Sequence, residues 1–132
     1  MSAKLQVEHI ALNVEDPEAM SAWYCEHLDM KVARRGDAAI GMQFLADSTG
    51  RVMFEIYSNP AEPTPSYAKM GPLTLHLAFA TEDSAASREG LIAAGATPLG
   101  EIDTTPTGDR LCMLRDPWGL VVQLCQRETP MG

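Results

Sequence analysis

The chain has 132 residues, 10 Lys and Arg against 18 Asp and Glu, and a formal net charge of −8. That length suits one compact domain with a real core, and the 45% hydrophobic and 21% charged residues argue against intrinsic disorder. The acidic balance argues against a phosphate-tracking nucleic-acid binder, and no apolar run approaches the roughly 18 residues of a membrane span.

Met1-Ser2-Ala3-Lys4 runs into a strand-like pattern without the apolar core of a signal peptide. Alternation over Leu5–Val14 predicts a strand, with Leu5, Val7, His9, Ala11 and Asn13 on one face and Ile10, Leu12 and Val14 on the other. Asp16-Pro17-Glu18 predicts a helix start: a side-chain cap, a proline at the first helical position, and a carboxylate at the positive dipole end. The helix runs to about Leu28, and strands follow near 30–35, 38–46 and 51–58, separated by Gly36-Asp37 and Asp47-Ser48-Thr49-Gly50. Residues 59–72 carry four prolines and no hydrophobic period, which predicts a connector. The pattern then begins again, with a strand at 73–80, a helix near 83–94 ended by Gly95, and strands near 96–103, 108–115 and 119–126.

The two halves correspond in detail. An offset of 67 carries His9 onto His76 and Glu15-Asp16 onto Glu82-Asp83, and an offset of 68 carries Glu55 onto Gln123. The chain is therefore a duplicated βαβββ unit, with modules at 4–58 and 73–126 of a single 1–132 domain. Two copies are too few for a solenoid, which favours a paired, pseudo-two-fold arrangement. On the less apolar face of four strands stands one central polar group: His9, Glu55, His76 and Gln123. Duplication gives them equivalent positions, so the four converge if the halves face each other. A carboxylate buried alone is costly, and the histidines themselves are able to supply its proton. A divalent cation accounts for all four together, through two imidazoles, a carboxylate and an amide oxygen.

The pieces Val7-Glu8-His9-Ile10-Ala11-Leu12, Phe54-Glu55-Ile56, Leu75-His76-Leu77-Ala78 and Arg115-Asp116-Pro117-Trp118-Gly119-Leu120-Val121-Val122-Gln123 resemble the vicinal oxygen chelate superfamily. This group includes glyoxalase I, methylmalonyl-CoA epimerase, extradiol dioxygenases and bleomycin-binding proteins. The resemblance implies an α+β fold in which tandem βαβββ modules form a curved, incompletely closed mixed β-sheet barrel with helices outside. It implies metal-ligand roles for His9, Glu55, His76 and Gln123, and one divalent ion among Zn, Ni, Co, Mn or Fe. Bacterial glyoxalase I has a glutamate where Gln123 stands, and an arginine four residues after the first histidine, where this chain has Asn13. Asn59 matches a glutathione-contacting asparagine of glyoxalase I. Asn13, Tyr57, Asn59 and Arg110 are the candidates for substrate contact, while His27 is expected at the surface and Cys125 as an inert buried thiol.

The leading expectation is a metal-dependent lyase or isomerase acting on a small α-hydroxycarbonyl or related vicinal-oxygen substrate, with Glu55 moving the proton. An extradiol-type oxygenase is the second, because His9, His76 and Glu55 make a two-histidine, one-carboxylate set. A non-catalytic drug-binding protein is the third. The expected partners are a small-molecule substrate and a second copy of the chain, with neither nucleic acid nor membrane. An odd three cysteines without a CxxC pair point to a reducing cytoplasm.

Overall fold

The structure, a computed structural model, describes residues 3–132; Met1 and Ser2, where the expected 1–132 domain begins, lie outside the described residues. The chain divides into two compact units, residues 1–65 and 66–132, and the boundary falls inside the proline-rich stretch.

The first unit contains β1 (Ile10–Asn13), α1 (Pro17–His27), β2 (Lys31–Arg35), a 3-10 turn (Ala38–Ile40), β3 (Gln43–Ala46) and β4 (Val52–Tyr57). The second contains a 3-10 turn (Tyr67–Lys69), β5 (Leu77–Ala80), α2 (Ser84–Ala93), β6 (Thr97–Thr104), β7 (Arg110–Arg115) and β8 (Val121–Gln126). The strand orders, β1-β4-β3-β2 and β5-β8-β7-β6, are the same topology twice. In each unit the first strand is parallel to the last and the other pairs are antiparallel, so each sheet is mixed. The fold class is α+β, built of two βαβββ modules in tandem.

The repeat persists at the level of single hydrogen bonds. Ile10 pairs with Phe54 and Leu77 with Val122, the same offsets of 67 and 68. Asp16 accepts the Ala19 N–H at 3.1 Å and Asp83 accepts the Ala86 N–H at 3.0 Å, so both helices start on an aspartate cap. Each helix packs on its own sheet, α1 against β2 and β3, and α2 against β6, β7 and β8. Met20 and Tyr24 of α1 are buried together with Leu12, Leu45 and Ile56 of its sheet; Leu91 of α2 is buried together with Leu77, Leu114, Val122 and Leu124.

Three strands, β1, β3 and β5, start four or five residues later than the alternation predicts. The parallel register would set Val7 and Leu5 beside residues 51 and 49, but β4 begins at Val52 after the Asp47–Gly50 turn. Residues 3–9 therefore have no ladder on β4, and Leu5 and Val7 are 95% and 79% exposed. The same reasoning shortens β5, whose residue 73 would face the turn at Pro117-Trp118. For β3, Asp37 caps the Ala39 N–H at 2.9 Å and Gly41 adopts φ +64°, so the chain makes a helical turn over 38–40 before entering the strand. His9 and His76 consequently stand one residue ahead of β1 and β5 rather than within them.

The turn into β8 is tied to the 3-10 turn of the same module. Asp116, buried, accepts the N–H groups of Trp118 and Leu120 at 2.9 Å each. Gly119 has φ +92°, and a Cβ there would lie 2.6 Å from Ala68. Arg115 donates to the carbonyls of Gly119, Tyr67 and Met70 at 2.9, 3.1 and 2.9 Å.

Two measurements check this packing. Leu77→Ala should cost about 2–5 kcal/mol in urea denaturation, because the side chain is almost fully enclosed. Asp109 is held below the ordinary carboxylate range, first by the Glu128 backbone N–H and then by the Arg127 guanidinium. Its stabilisation is complete above the ordinary aspartate range and is lost as the pH falls through the lowered value. The stability gap between wild type and Asp109→Asn should therefore be largest near neutrality and close in acid.

Candidate functional site

Parallel pairing of β1 with β4 sets Ala11 opposite Glu55, two residues beyond His9. From this register His9 Nε2 comes within 3.3 Å of Glu55 Oε1. The pair is largely enclosed, with side chains 28% and 13% exposed, and the imidazole meets the Phe44 ring edge-on at a centroid distance of 5.4 Å. His9 Nδ1 lies 2.8 Å from Glu8 Oε1. Both carboxylates accept, so His9 stands between Glu8 and Glu55 with one ring nitrogen directed at each.

The second module repeats the frame. Ala78 lies opposite Gln123, and His76 stands two residues before it. His76 Nδ1 is 2.8 Å from the Pro72 carbonyl, which can only accept, so Nδ1 donates. Gln123 is half-buried between Val121 and Cys125, both buried, and its Oε1 accepts from Cys125 Sγ at 3.4 Å. Burial pushes the Cys112 and Cys125 thiols up, which keeps them protonated and inert at neutral pH.

Two modules with one strand order, one register and one histidine apiece at matched positions are the architecture expected from the sequence pieces. A model of the Glyoxalase/Bleomycin resistance protein/Dioxygenase superfamily matches residues 6–124. The chain belongs to this superfamily. A glyoxalase family protein from Bacillus cereus superimposes with a TM-score of 0.76 at 17% identity, covering 94% of this chain and 95% of that one. TnmS3, an antibiotic-binding protein from Streptomyces sp. CB03234, gives 0.66 at 22% identity, with coverage of 94% and 97%. A glyoxalase I variant from Zea mays gives 0.70 at 23% identity over 92% of this chain and 45% of that one. These likenesses show the fold. None of the curated proteins matches the chain significantly in sequence.

The donor chemistry of the first module fits a divalent metal ion. His9 Nε2 and Glu55 Oε1 lie 3.3 Å apart, a spacing at which a shared proton or a cation would hold the two together. In the second module His76 Nε2 and the remaining lone pair of Gln123 Oε1 are neutral donors of the same kind. Among the described residues no three His, Cys, Asp or Glu side chains are gathered into a metal-holding group.

The expected substrate contacts fare differently. Asn13 donates through Nδ2 to the carbonyls of Asn59 and Glu62, at 3.1 and 3.0 Å, and its Oδ1 accepts the Asn59 N–H at 2.7 Å. The Asn59 side chain accepts the Ala61 N–H at 2.9 Å. Both amides are thus engaged in shaping the 59–62 turn. Tyr57 and Arg110 are half-buried on β4 and β7, and the Arg110 carbonyl accepts from Ser84 Oγ at 2.9 Å. His27 lies 5.3 Å, centroid to centroid, from the Trp23 ring on the same helix. Glu8 and the Pro72 carbonyl were not singled out by the sequence pattern. The signal for Glu8 was its adjacency to His9; for Pro72, a backbone group, there was none.

Asn13→Ala should free the 59–62 turn, with faster hydrogen exchange at the Asn59 amide and a loss of about 1–2 kcal/mol. An unchanged exchange rate would mean that the backbone holds the turn alone.

Proposed function

We propose that the protein is a metal-dependent lyase or isomerase acting on a small α-hydroxycarbonyl or related vicinal-oxygen substrate. The observation that carries this reading is the 3.3 Å approach of His9 Nε2 to Glu55 Oε1, with Nδ1 already occupied. His9, Glu55, His76 and Gln123 are the candidate ligands of the ion. When bound, the ion supplies a Lewis acid that neutralises the charge developing on vicinal oxygens as the substrate is deprotonated.

Glu55 is the only carboxylate of the set and therefore the proton carrier. It takes the proton from the carbon beside the carbonyl and returns it to the former carbonyl carbon, while the substrate's hydroxyl proton passes to the neighbouring oxygen. Phe44 and the enclosed position of Glu55 limit water around that carboxylate, which favours transfer to substrate over loss to solvent. Gln123 binds and orients but cannot take a proton at neutral pH.

We also propose that the two modules act as one domain and that the protein is a cytoplasmic homodimer. The exposed Leu5, Val7, Ile10 and Leu73 offer apolar surface that a second copy would cover. Cys25, Cys112 and Cys125 carry free thiols, in keeping with a reducing compartment. No helix among the described residues is long and apolar enough to cross a membrane.

Metal analysis of protein purified without chelator should find a stoichiometric divalent ion in wild type and a deficit in His76→Ala. Glu55→Gln should slow solvent-hydrogen exchange into a bound α-hydroxycarbonyl by about 10²–10⁴-fold. Exchange at the wild-type rate in Glu55→Gln would remove Glu55 as the base and end the proposed mechanism.

A further inference from the structure

We infer that Arg34 is a specificity-determining residue that selects substrates carrying an anionic group, a carboxylate or a phosphate, away from the reacting carbon. The inference rests on the proposed function and names the substrate class of the same site. In the first sheet Ala11, Glu55, Phe44 and Arg34 are successive partners across β1, β4, β3 and β2. Directly paired residues project from one face of a sheet, so Arg34 shares the face of Glu55.

The bulge between Val32 and Arg34 leaves that face unchanged. The next residue, Arg35, pairs with Gln43, and both side chains donate to Glu18 on α1, at 2.9 and 3.1 Å. Arg35 and Gln43 therefore lie on the helix side of the sheet. Arg34 lies on the other side, where Phe44 meets the His9 ring.

Arg34 is exposed, and among the described residues no carboxylate lies within ion-pair distance of it. Strand spacing sets its Cα roughly 10 Å from that of Glu55, with Phe44 between them. A cation two strands from the proton-carrying carboxylate matches a substrate whose anionic end is several atoms from its reacting carbon. The guanidinium fork is shaped for such an end, since it gives two parallel hydrogen bonds to a carboxylate or a phosphate. Three of the ten Lys and Arg stand on β2 in a chain of net charge −8, so this edge attracts anions that the rest of the surface repels.

The fold itself asks for no charge at this position. In the second module the corresponding row is Ala78, Gln123, Met113 and Leu99, which ends on an apolar residue. Protection of the outer strand, the ordinary use of a charge there, is already served by Lys31 and Arg35.

Matched α-hydroxyketones separate the charge from the rest of the ligand. Dihydroxyacetone phosphate against dihydroxyacetone carries the phosphate arm, and δ-hydroxylevulinate against its methyl ester carries the carboxylate arm. In calorimetric titrations of the full chain at low salt, wild type should bind one anionic member about tenfold more tightly than its neutral counterpart. The arm that shows the preference identifies the anion, and added NaCl should shrink it. Arg34→Gln should abolish the preference. Arg35→Gln, the same loss of charge on the opposite face, should keep it. Equal affinities within both arms in wild type, or no binding of any probe, overturns the inference. So does a preference that survives Arg34→Gln or falls equally in Arg35→Gln. Hydrogen exchange at the wild-type rate in Glu55→Gln, with the Arg34-dependent preference intact, instead overturns the lyase or isomerase mechanism and leaves Arg34 as an anion-binding residue.

Discussion

The parallel ladder between the first and last strand of each module is the constraint on which the rest depends. Two strands joined through a helix and two further strands have no local turn to set their register, so burial has to set it. Leu12 and Ile56 in one module, and Leu77, Val122 and Leu124 in the other, face the helix and are buried. A slip of one residue would turn these side chains to the opposite face and carry Glu55 or Gln123 into the helix-facing core. Apolar packing on one side of the sheet thus holds the polar groups on the other.

The modules share this frame but secure it by different means. In the first, an asparagine side chain at the end of β1 gathers the backbone after β4. In the second, the corresponding residue is Ala80, and the security lies at the opposite end of the sheet, where Arg115 and Asp116 hold the loop and turn that precede β5 and β8. That end also carries Pro72, so the network around Arg115 sits two residues from the carbonyl that orients His76. The β8 strand is buried on both faces, with Val121 and Cys125 as enclosed as Val122 and Leu124. Such enclosure explains why the neighbouring thiols are chemically quiet.

Features that depend on neighbours in the chain were legible in the sequence. The aspartate caps, the proline at the first turn of α1, the Gly95 stop and the repeat offsets all rest on local chemistry, and each has its expected counterpart in the structure. Strand starts were less legible, because the end of a ladder is set by where the partner begins. The alternation at Leu5 and Val7 is as regular as that at Leu12 and Val14, yet only the latter side chains are buried. The duplication made His9 equivalent to His76 and Glu55 to Gln123, while the approach of His9 to Glu55 comes from the parallel register of β1 and β4. The engagement of Asn13 did not follow from the duplication, since its partners are backbone groups 46 and 49 residues away. Glu8 escaped notice because strict alternation assigns it to the face opposite His9, and alternation fails once the strand has ended.

The contrast between the two histidine acceptors bears on how the protein is able to change. A main-chain carbonyl survives replacement of its own side chain, so the hold on His76 is buffered against substitution at position 72 unless the loop itself moves. The hold on His9 resides in a single side chain on the surface, and one codon is enough to strengthen, weaken or remove it. Variation can therefore adjust one half of the chain in small steps while the other half stays as a fixed reference. Duplication has left the chain with a conservative copy and an adjustable one.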